Sequence, residues 1–210
     1  MPFHLLLTAM IKRWFQTSAR SRYYILGILI VSLIVHTSGY APEQEVYLIY
    51  KGSISFFSNA PMETIRGSSQ KLRGMINASN RTFAFSISNN TILGFNSTLQ
   101  QEHFYENYIE GNKYPNSSFQ GKIIEQIDFS KDGEYIVRAK GLLNIHGVSK
   151  ERIIKSTLQI RKGKLFVKSQ FTVLLEDHSI KIPRIVFQKI AKEIIIHVDA
   201  EYKLAEIGAK

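Results

Sequence analysis

The feature that most constrains this chain is a period of two. From Pro42 onward, apolar residues recur at alternate positions in run after run. Val46, Leu48, Tyr50, Gly52, Ile54 and Phe56 share one parity. Phe83, Phe85 and Ile87 form a second set, and Phe119, Gly121, Ile123, Ile127 and Phe129 a third. Tyr135, Val137, Ala139, Gly141, Leu143 and Ile145 follow, then Ile154, Leu158 and Ile160. Leu165, Val167, Phe171, Val173 and Leu175 come next, and Ile194, Ile196, Val198, Ala200 and Tyr202 close the series. Successive side chains of a strand point to opposite faces, so each set lines one face of its strand. Arg138, Lys140, Lys168, Asp199 and Glu201 fall on the other.

Seven or more strands that are each apolar on one face must bury those faces together. An antiparallel barrel does so and leaves no free edge. A two-sheet sandwich is the competing architecture. Gly52, Gly121 and Gly141 on the inward parity favour the barrel, because small inward residues permit strong coiling and leave space in a lumen. Ala78-Ser79-Asn80-Arg81 breaks the pattern, and Lys131-Asp132-Gly133 and Lys162-Gly163 predict hairpin turns. Two segments depart from the alternation. Ser97-Thr98 supplies a capping hydroxyl for a helix of about three turns running to Ile109, with Gly111 beyond it. Pro183–Ala191 places Ile185, Val186, Phe187 and Ile190 at helical spacing behind a proline, predicting a second short helix. Both helices are expected to cover the ends of the barrel. There is no internal repeat or low-complexity linker, so residues 42–210 read as one domain.

Residues 1–41 are of another kind. Residues 24–35 are almost purely apolar, a basic segment precedes them, and Gly39-Tyr40-Ala41 offers small residues for cleavage. That order is the plan of a secretory signal peptide. Twelve helical residues span roughly 18 Å, short of the ~30 Å hydrocarbon core. An uncleaved N-terminal anchor is the other reading. On either, Pro42 onward is expected beyond the inner membrane. The net charge of +10 divides accordingly. Lys12, Arg13, Arg20 and Arg22, with no acid among residues 1–41, account for +4, leaving the domain only moderately basic at +6. Nucleic-acid binding is therefore disfavoured. The absence of cysteine removes disulfides, thiolate catalysis and Cys-ligated metals.

Against this background several blocks stand out. His103-Phe104-Tyr105-Glu106-Asn107-Tyr108-Ile109-Glu110, then Lys113-Tyr114-Pro115 and Phe119-Gln120-Gly121, resemble the helix-to-strand signature of YceI-like proteins. Leu142-Leu143-Asn144-Ile145-His146-Gly147-Val148-Ser149-Lys150 is similar to that family's Leu-Thr-Ile-His-Gly-Val-Thr-Lys hairpin, with Asn144 in place of the usual Thr. Asp177-His178-Ser179-Ile180, Pro183 and Ile190-Ala191 match its closing segment, although His178-Ser179 replaces the commoner aromatic-Gly pair. The resemblance covers roughly residues 45–203. It implies an all-β, lipocalin-like antiparallel barrel of about eight strands with one or two short helices. It also implies a periplasmic or secreted location, to which the anchor reading of the N-terminal segment adds tethering to the inner membrane. The implied ligand is a long isoprenoid or fatty-acyl chain, held in the lumen without cofactor or catalysis.

Such a ligand binds by removing its apolar surface from water, so it needs a concave apolar lumen with a few polar groups at the mouth. The candidate lining residues are the inward Phe56, Phe83, Phe85, Phe119, Val137, Leu143, Phe171 and Val173. An eight-stranded barrel is also just narrow enough for side chains to fill it. A solid-cored exported barrel acting through its surface on an envelope partner or membrane is therefore the alternative. The run Arg138, Lys140, Lys150, Arg152, Lys155, Arg161, Lys162, Lys164 and Lys168 faces only Glu151 in acid, which would attract an anionic surface. Its simpler reading is the outward faces of two hairpins. His146 reads as a turn residue before Gly147, with a headgroup contact as the alternative. Tyr114-Pro115 reads as a chain-directing corner and His103 as part of a polar pin. The six histidines show no metal-ligand spacing, and no G-x-S-x-G, P-loop, Rossmann glycine or H-E-x-x-H motif occurs. Glu176-Asp177 is expected on a strand, with its carboxylates on opposite faces. The Asn-x-Ser/Thr matches at Asn77, Asn80, Asn89, Asn96 and Asn116 read as chance products of composition. Monomer and homodimer are equally compatible with the sequence.

Overall fold

The alternating runs form nine strands in the computed structural model, which describes residues 45–205; the expectations for residues 1–41 lie outside the described residues. The strands are β1 (Val46–Asn59), β2 (Thr64–Ser69), β3 (Arg73–Asn77), β4 (Thr82–Ser88), β5 (Asn116–Ile123), β6 (Gly133–Ile145), β7 (Val148–Arg161), β8 (Lys164–Leu174) and β9 (Glu193–Leu204). The strand ladders are all antiparallel, in the order β2-β1-β3-β4-β5-β6-β7-β8-β9 with β1 also paired to β9, and an isolated parallel bridge joins Gly52 to Lys71, which lies between β2 and β3. One edge of β1 follows β9. Its other edge meets β3 near its start (Val46 opposite Asn77) and β2 near its end (Asn59 opposite Thr64). β2 and β3 are thus two halves of one interrupted stave, and eight staves close into a barrel. A single sheet joined to itself through β1 and β9 rules out the sandwich.

The first parity set needs correction. The β1–β9 register slips between Ile49 and Lys51, leaving Tyr50 as an extra residue. One inserted residue inverts which side chains face inward. Before the slip Tyr47 is buried while Leu48 is 42% exposed; after it, Gly52 is buried and Ile54 faces the core. Leu48 and Tyr50 therefore point out, and the Tyr50 hydroxyl donates to Glu201 Oε2 at 2.5 Å.

Turn chemistry fixes the hairpins. His146-Gly147 and Lys162-Gly163 have φ of 52° and 72°, and of 51° and 71°. Paired positive φ values give the two-residue turn that matches strand twist. Lys131-Asp132-Gly133 is not such a turn. β5 ends at Ile123, and residues 124–132 form an irregular connection that bends where Asp128 accepts from the Ser130 amide and hydroxyl. Asp132 instead accepts from the Lys162 amide, at 3.0 and 3.1 Å, capping a neighbouring hairpin.

The helix after Ser97 is present. Ser97 Oγ accepts from the Gln100 amide at 3.2 Å, α1 spans Thr98–His103, and the chain widens into a π turn over Phe104–Tyr108. The second expected helix is not. Within Pro183–Ala191 only Arg184–Val186 makes a 3₁₀ turn, and Ile185 and Phe187 are 91% and 63% exposed. Consecutive β-branched and aromatic residues lose rotamer freedom in a helix. Here Gln188 also gives its carbonyl to the Met62 amide (3.0 Å), tying the segment to the β1–β2 loop.

Packing is tightest at one end. Tyr47, Ile76, Phe83, Leu158, Ile160, Leu165, Ala200 and Tyr202 form a floor in which no member is more than 5% exposed. Gly121 and Gly141 face each other across β5 and β6. A Cβ on Gly121 would stand 2.0 Å from the Lys140 carbonyl oxygen, and one on Gly141 2.2 Å from that of Gln120. No other residue fits either position without parting the strands.

Candidate functional site

Above the floor the barrel is hollow. A mouth chamber of about 340 Å³ lies between the strand ends and two covering segments, residues 89–115 and 175–192. Below it is a deep chamber of about 130 Å³. Ile54, Ile87, Ser117, Ile145 and Ile196 line both, so the two chambers adjoin along these side chains. The expectation of a lumen plugged throughout by side chains holds only for the floor.

All eight residues singled out in the sequence face this space. Phe56 and Val173 line the mouth chamber. Phe83, Phe85, Phe119, Val137, Leu143 and Phe171 line the deep one. Phe83 stacks on Phe85 with centroids 5.2 Å apart and tilts against Phe119 at 4.9 Å, so these rings wall the deep chamber from one side. Phe56 meets Phe104 at 5.5 Å and Phe95 at 5.7 Å, joining β1 to the cover. The residues missed in the sequence come mainly from that cover: Phe95, Phe104, Tyr108, Ile109, Val186 and Ile190. Phe104 and Tyr108 stand four apart in a segment expected to be helical, and that one-sided spacing was the available signal.

Polarity is graded along the cavity. Glu63, Asn89, Gln100, His103 and Lys189 line only the mouth. Gln100 Nε2 donates to Glu63 Oε1 at 2.5 Å, and Asn96 Nδ2 reaches the same oxygen at 3.3 Å. Asn89 is buried and engaged, donating to the Tyr114 carbonyl (2.8 Å) and accepting from Ser117 Oγ (2.9 Å). Its role is to hold the cover to β5. The deep chamber offers only hydroxyls. Ser156 and Ser169 hydrogen-bond to each other, and Tyr202 Oη is buried with no partner among the described residues. Burial pushes the Tyr202 phenol far above its usual range, so the floor carries no charge.

The wall between β7 and β8 is held differently from the rest. Their ladder stops at Ser156 opposite Ser169. Beyond it Arg152 donates to the Thr172 carbonyl at 2.8 Å. His178 Nδ1 donates to the Val148 carbonyl at 3.0 Å, and His146 Nδ1 to the His178 carbonyl at 3.0 Å. His146 Nε2 lies 3.1 Å from Glu110, and its ring meets Tyr114 edge-on at 4.8 Å. His146 is thus the turn residue that ties the cover to the hairpin. His178 is fully buried, and desolvation first of all lowers its pKa below the usual imidazole value. Hydrogen bonding to the Val148 and Ile145 carbonyls opposes that shift, and Nε2 meets no hydrogen-bond partner at ordinary distance among the described residues. Glu176-Asp177 lies not on a strand but in the 3₁₀ turn Leu175–His178, which corrects the opposite-faces argument.

The basic run is dispersed rather than gathered at the mouth. Arg138 pairs with Glu125 at 2.7 Å, Lys140 with Glu151 at 3.3 Å and Lys168 with Asp199 at 3.6 Å, while Arg161 covers the Phe166 ring. Exposed pairs of this kind add little stability. His103 is exposed on α1 and lines the mouth. Among the described residues no group of three His, Asp or Glu side chains is placed to hold a metal.

Comparison with known proteins agrees with this geometry. The family model of the YceI-like domain matches residues 50–202. A polyisoprenoid-binding domain from Saccharophagus degradans, implicated in plant cell wall breakdown, superposes with a TM-score of 0.63 at 13% identity, covering 76% of this chain and 98% of its own. BcnA of Burkholderia cenocepacia gives 0.59 at 11% identity, with 71% and 95% covered. The YceI protein of Campylobacter jejuni gives 0.52 at 15%, with 67% and 84% covered. No curated protein matches the sequence. At these identities the structures speak for the fold, and the family model, which spans most of the described barrel, shows that the chain belongs to the YceI-like family.

Proposed function

We propose that this chain is a non-enzymatic lipid-binding protein that holds an isoprenoid or fatty-acyl chain in the barrel lumen, on the far side of the inner membrane. The observation that carries the reading is the pair of adjoining apolar chambers inside the barrel, with amide and charged side chains only at the mouth. A hydrocarbon tail lowered past Phe56 and Val173 toward Phe83, Phe85, Phe119, Val137, Leu143 and Phe171 leaves water at about 25 cal/mol per Å² of apolar surface, less the costs of ordering it. Its head would stay near Gln100, His103 and Lys189. The description of the Saccharophagus domain as polyisoprenoid-binding supports the ligand class. The apolar run at residues 24–35 with its basic flank supports export.

Expression of the full chain, solvent extraction of the purified protein and mass spectrometry of the extract should recover a bound lipid. Repeated recovery of none, together with no uptake of an added fluorescent fatty acid, would reject the reading. Cell fractionation with N-terminal sequencing of the recovered protein tests the location: a cytoplasmic, unprocessed chain would contradict it.

A further inference from the structure

Residues 181–192 read Lys-Ile-Pro-Arg-Ile-Val-Phe-Gln-Lys-Ile-Ala-Lys, with four basic side chains and no acid. The segment is pinned to the rim of the mouth. The Gln188 carbonyl accepts from the Met62 amide at 3.0 Å, and the Ala191 amide donates to the buried Ser58 Oγ at 2.9 Å. Two successive turns sort its apolar residues: the Val186 amide donates to the Pro183 carbonyl, and the Lys189 amide to the Val186 carbonyl. Val186 and Ile190 line the mouth chamber, whereas Ile185 and Phe187 do not. Those two stand in water at 91% and 63% exposure, and Met62, tied to them through Gln188, is 64% exposed. Ile185 is the most exposed large apolar side chain among the described residues. Single exposed apolar residues are ordinary, but three together with charge around them mark an interaction surface. Lys181, Arg184, Lys189 and Lys192 are all exposed, and among the described residues none of them forms an ion pair. Glu63, the acid that lines the mouth, is already engaged by Gln100 and Asn96.

We propose that this tip docks the mouth of the barrel onto an anionic lipid bilayer. Ile185, Phe187 and Met62 enter the headgroup boundary, and Lys181, Arg184, Lys189 and Lys192 meet the lipid phosphates. Interfacial segments bind in this way, through apolar area placed at the acyl boundary and cations drawn to anionic lipid. A protein partner is the poorer fit. A stable protein interface takes about 800 Å² from each side and needs a complementary surface. Three protruding side chains fall far short of that, and a bilayer needs no complement. Position agrees with a membrane as well. Val186, Lys189 and Ile190 of the same turns line the chamber, so a docked tip sets the opening against the bilayer, where an apolar cargo would enter and leave. The docking surface goes beyond the lipid-binding reading and does not depend on it, since a barrel with an empty lumen would dock equally well.

The full chain contains no cysteine, so one introduced thiol can carry an environment-sensitive fluorophore. Gln188→Cys puts the label on the tip, and Lys131→Cys puts it at the floor end, just before β6. Each labelled protein is titrated with vesicles of equal parts phosphatidylglycerol and phosphatidylcholine, at low and at raised salt. The label at 188 is expected to brighten and shift to the blue, less so at raised salt, while the label at 131 stays unchanged. Adding Ile185→Ser and Phe187→Ser should raise the lipid concentration for half-maximal response at least tenfold. Adding Lys181→Gln, Arg184→Gln and Lys192→Gln instead should raise it about a hundredfold, at roughly fivefold per basic residue. All five side chains are exposed, so the urea midpoints should match that of the parent. No response at 188 overturns the proposal, as does an equal response from both labels. A response at 188 that survives the serine pair also overturns it, because the association would then belong to another part of the chain, such as the apolar residues 24–35. A response to soluble protein in a vesicle-free extract, with none to vesicles, overturns it in favour of a protein partner. None of these outcomes bears on recovery of lipid from the lumen, so failure of docking and failure of lipid binding are read separately.

Discussion

Replacing Ile196 by tryptophan should separate the two chambers without unfolding the barrel. Ile196 sits on β9 opposite Phe56 of β1 and Phe171 of β8, and its side chain borders both cavities. In a filled core so large an insertion costs about 1–3 kcal/mol in strain. Here the indole would enter the hollow mouth chamber of about 340 Å³, so the change in folding stability is expected to stay within ~1 kcal/mol. Ligand binding should respond by length. For a hexadecanoyl chain, each methylene kept out of the deep chamber costs about 0.8 kcal/mol, so the loss of four would cost about 3 kcal/mol, or about a 200-fold weaker Kd. A hexanoyl chain, short enough to share the mouth with the indole, should change less than about threefold. Displacement titrations with both chains, alongside urea unfolding of the variant, measure all three quantities. Equal losses for the two chains, or full hexadecanoyl affinity in a folded variant, would refute the reasoning.

Three further substitutions probe the frame. Gly121→Ala sets a Cβ 2.0 Å from the Lys140 carbonyl oxygen and 2.5 Å from Gly141 Cα, both backbone atoms that cannot swing aside, so a loss of more than about 3 kcal/mol is expected in urea unfolding. A loss below 1 kcal/mol would show that β5 and β6 can part. His146→Ala removes the donor to the His178 carbonyl, breaks the contact with Glu110 and leaves alanine at a φ of 52°. It should cost about 1–3 kcal/mol and speed amide exchange over residues 104–114; unchanged protection there would sink the assignment of His146 as a tie. His178 gives a pH signature. Its imidazole pKa is lowered in the fold from 6.5, so below that pH the unfolded chain binds a proton that the folded chain resists. Its contribution is complete above pH 6.5 and is lost as pH falls through the depressed folded value. His178→Asn keeps an N–H for the Val148 carbonyl and cannot titrate. The urea midpoint of the native chain should therefore fall more between pH 7.5 and 5.5 than that of the variant, and parallel profiles would remove His178 from the account.

What could be read from the residues, and what could not, follows from how locally each feature is encoded. Strand faces are written at a spacing of two, which is why Phe83, Val137, Leu143 and Val173 were legible as inward. Closure was legible in kind, because one-faced strands have few ways to bury themselves. The exception on β1 has a clear origin: Tyr50 is one residue too many, and nothing local distinguishes an inserted residue from a continuing strand until the partner register is known. The cover was harder still. Phe95 and Phe104 reach Phe56 through irregular backbone, and Val186 and Ile190 enter the cavity from a segment whose apolar spacing mimics a helix that does not form. The asymmetry of the lumen was not legible at all. Whether inward phenylalanines interlock or leave room depends on strand coiling, summed over the whole circumference.

The dense floor has an evolutionary corollary. Phe83, Ile76, Leu158 and Tyr202 belong both to the buried floor and to the lining of the deep chamber, so there fold integrity and the shape of the lumen are set by the same side chains. Exposed side chains at the opening that tie nothing down, such as His103 and Lys189, can change with little penalty to folding, whereas Asn89 and His146, the facing pair Gly121 and Gly141 and the floor are held fast. A vessel made this way can be reshaped cheaply at its rim, and only at a cost in stability lower down.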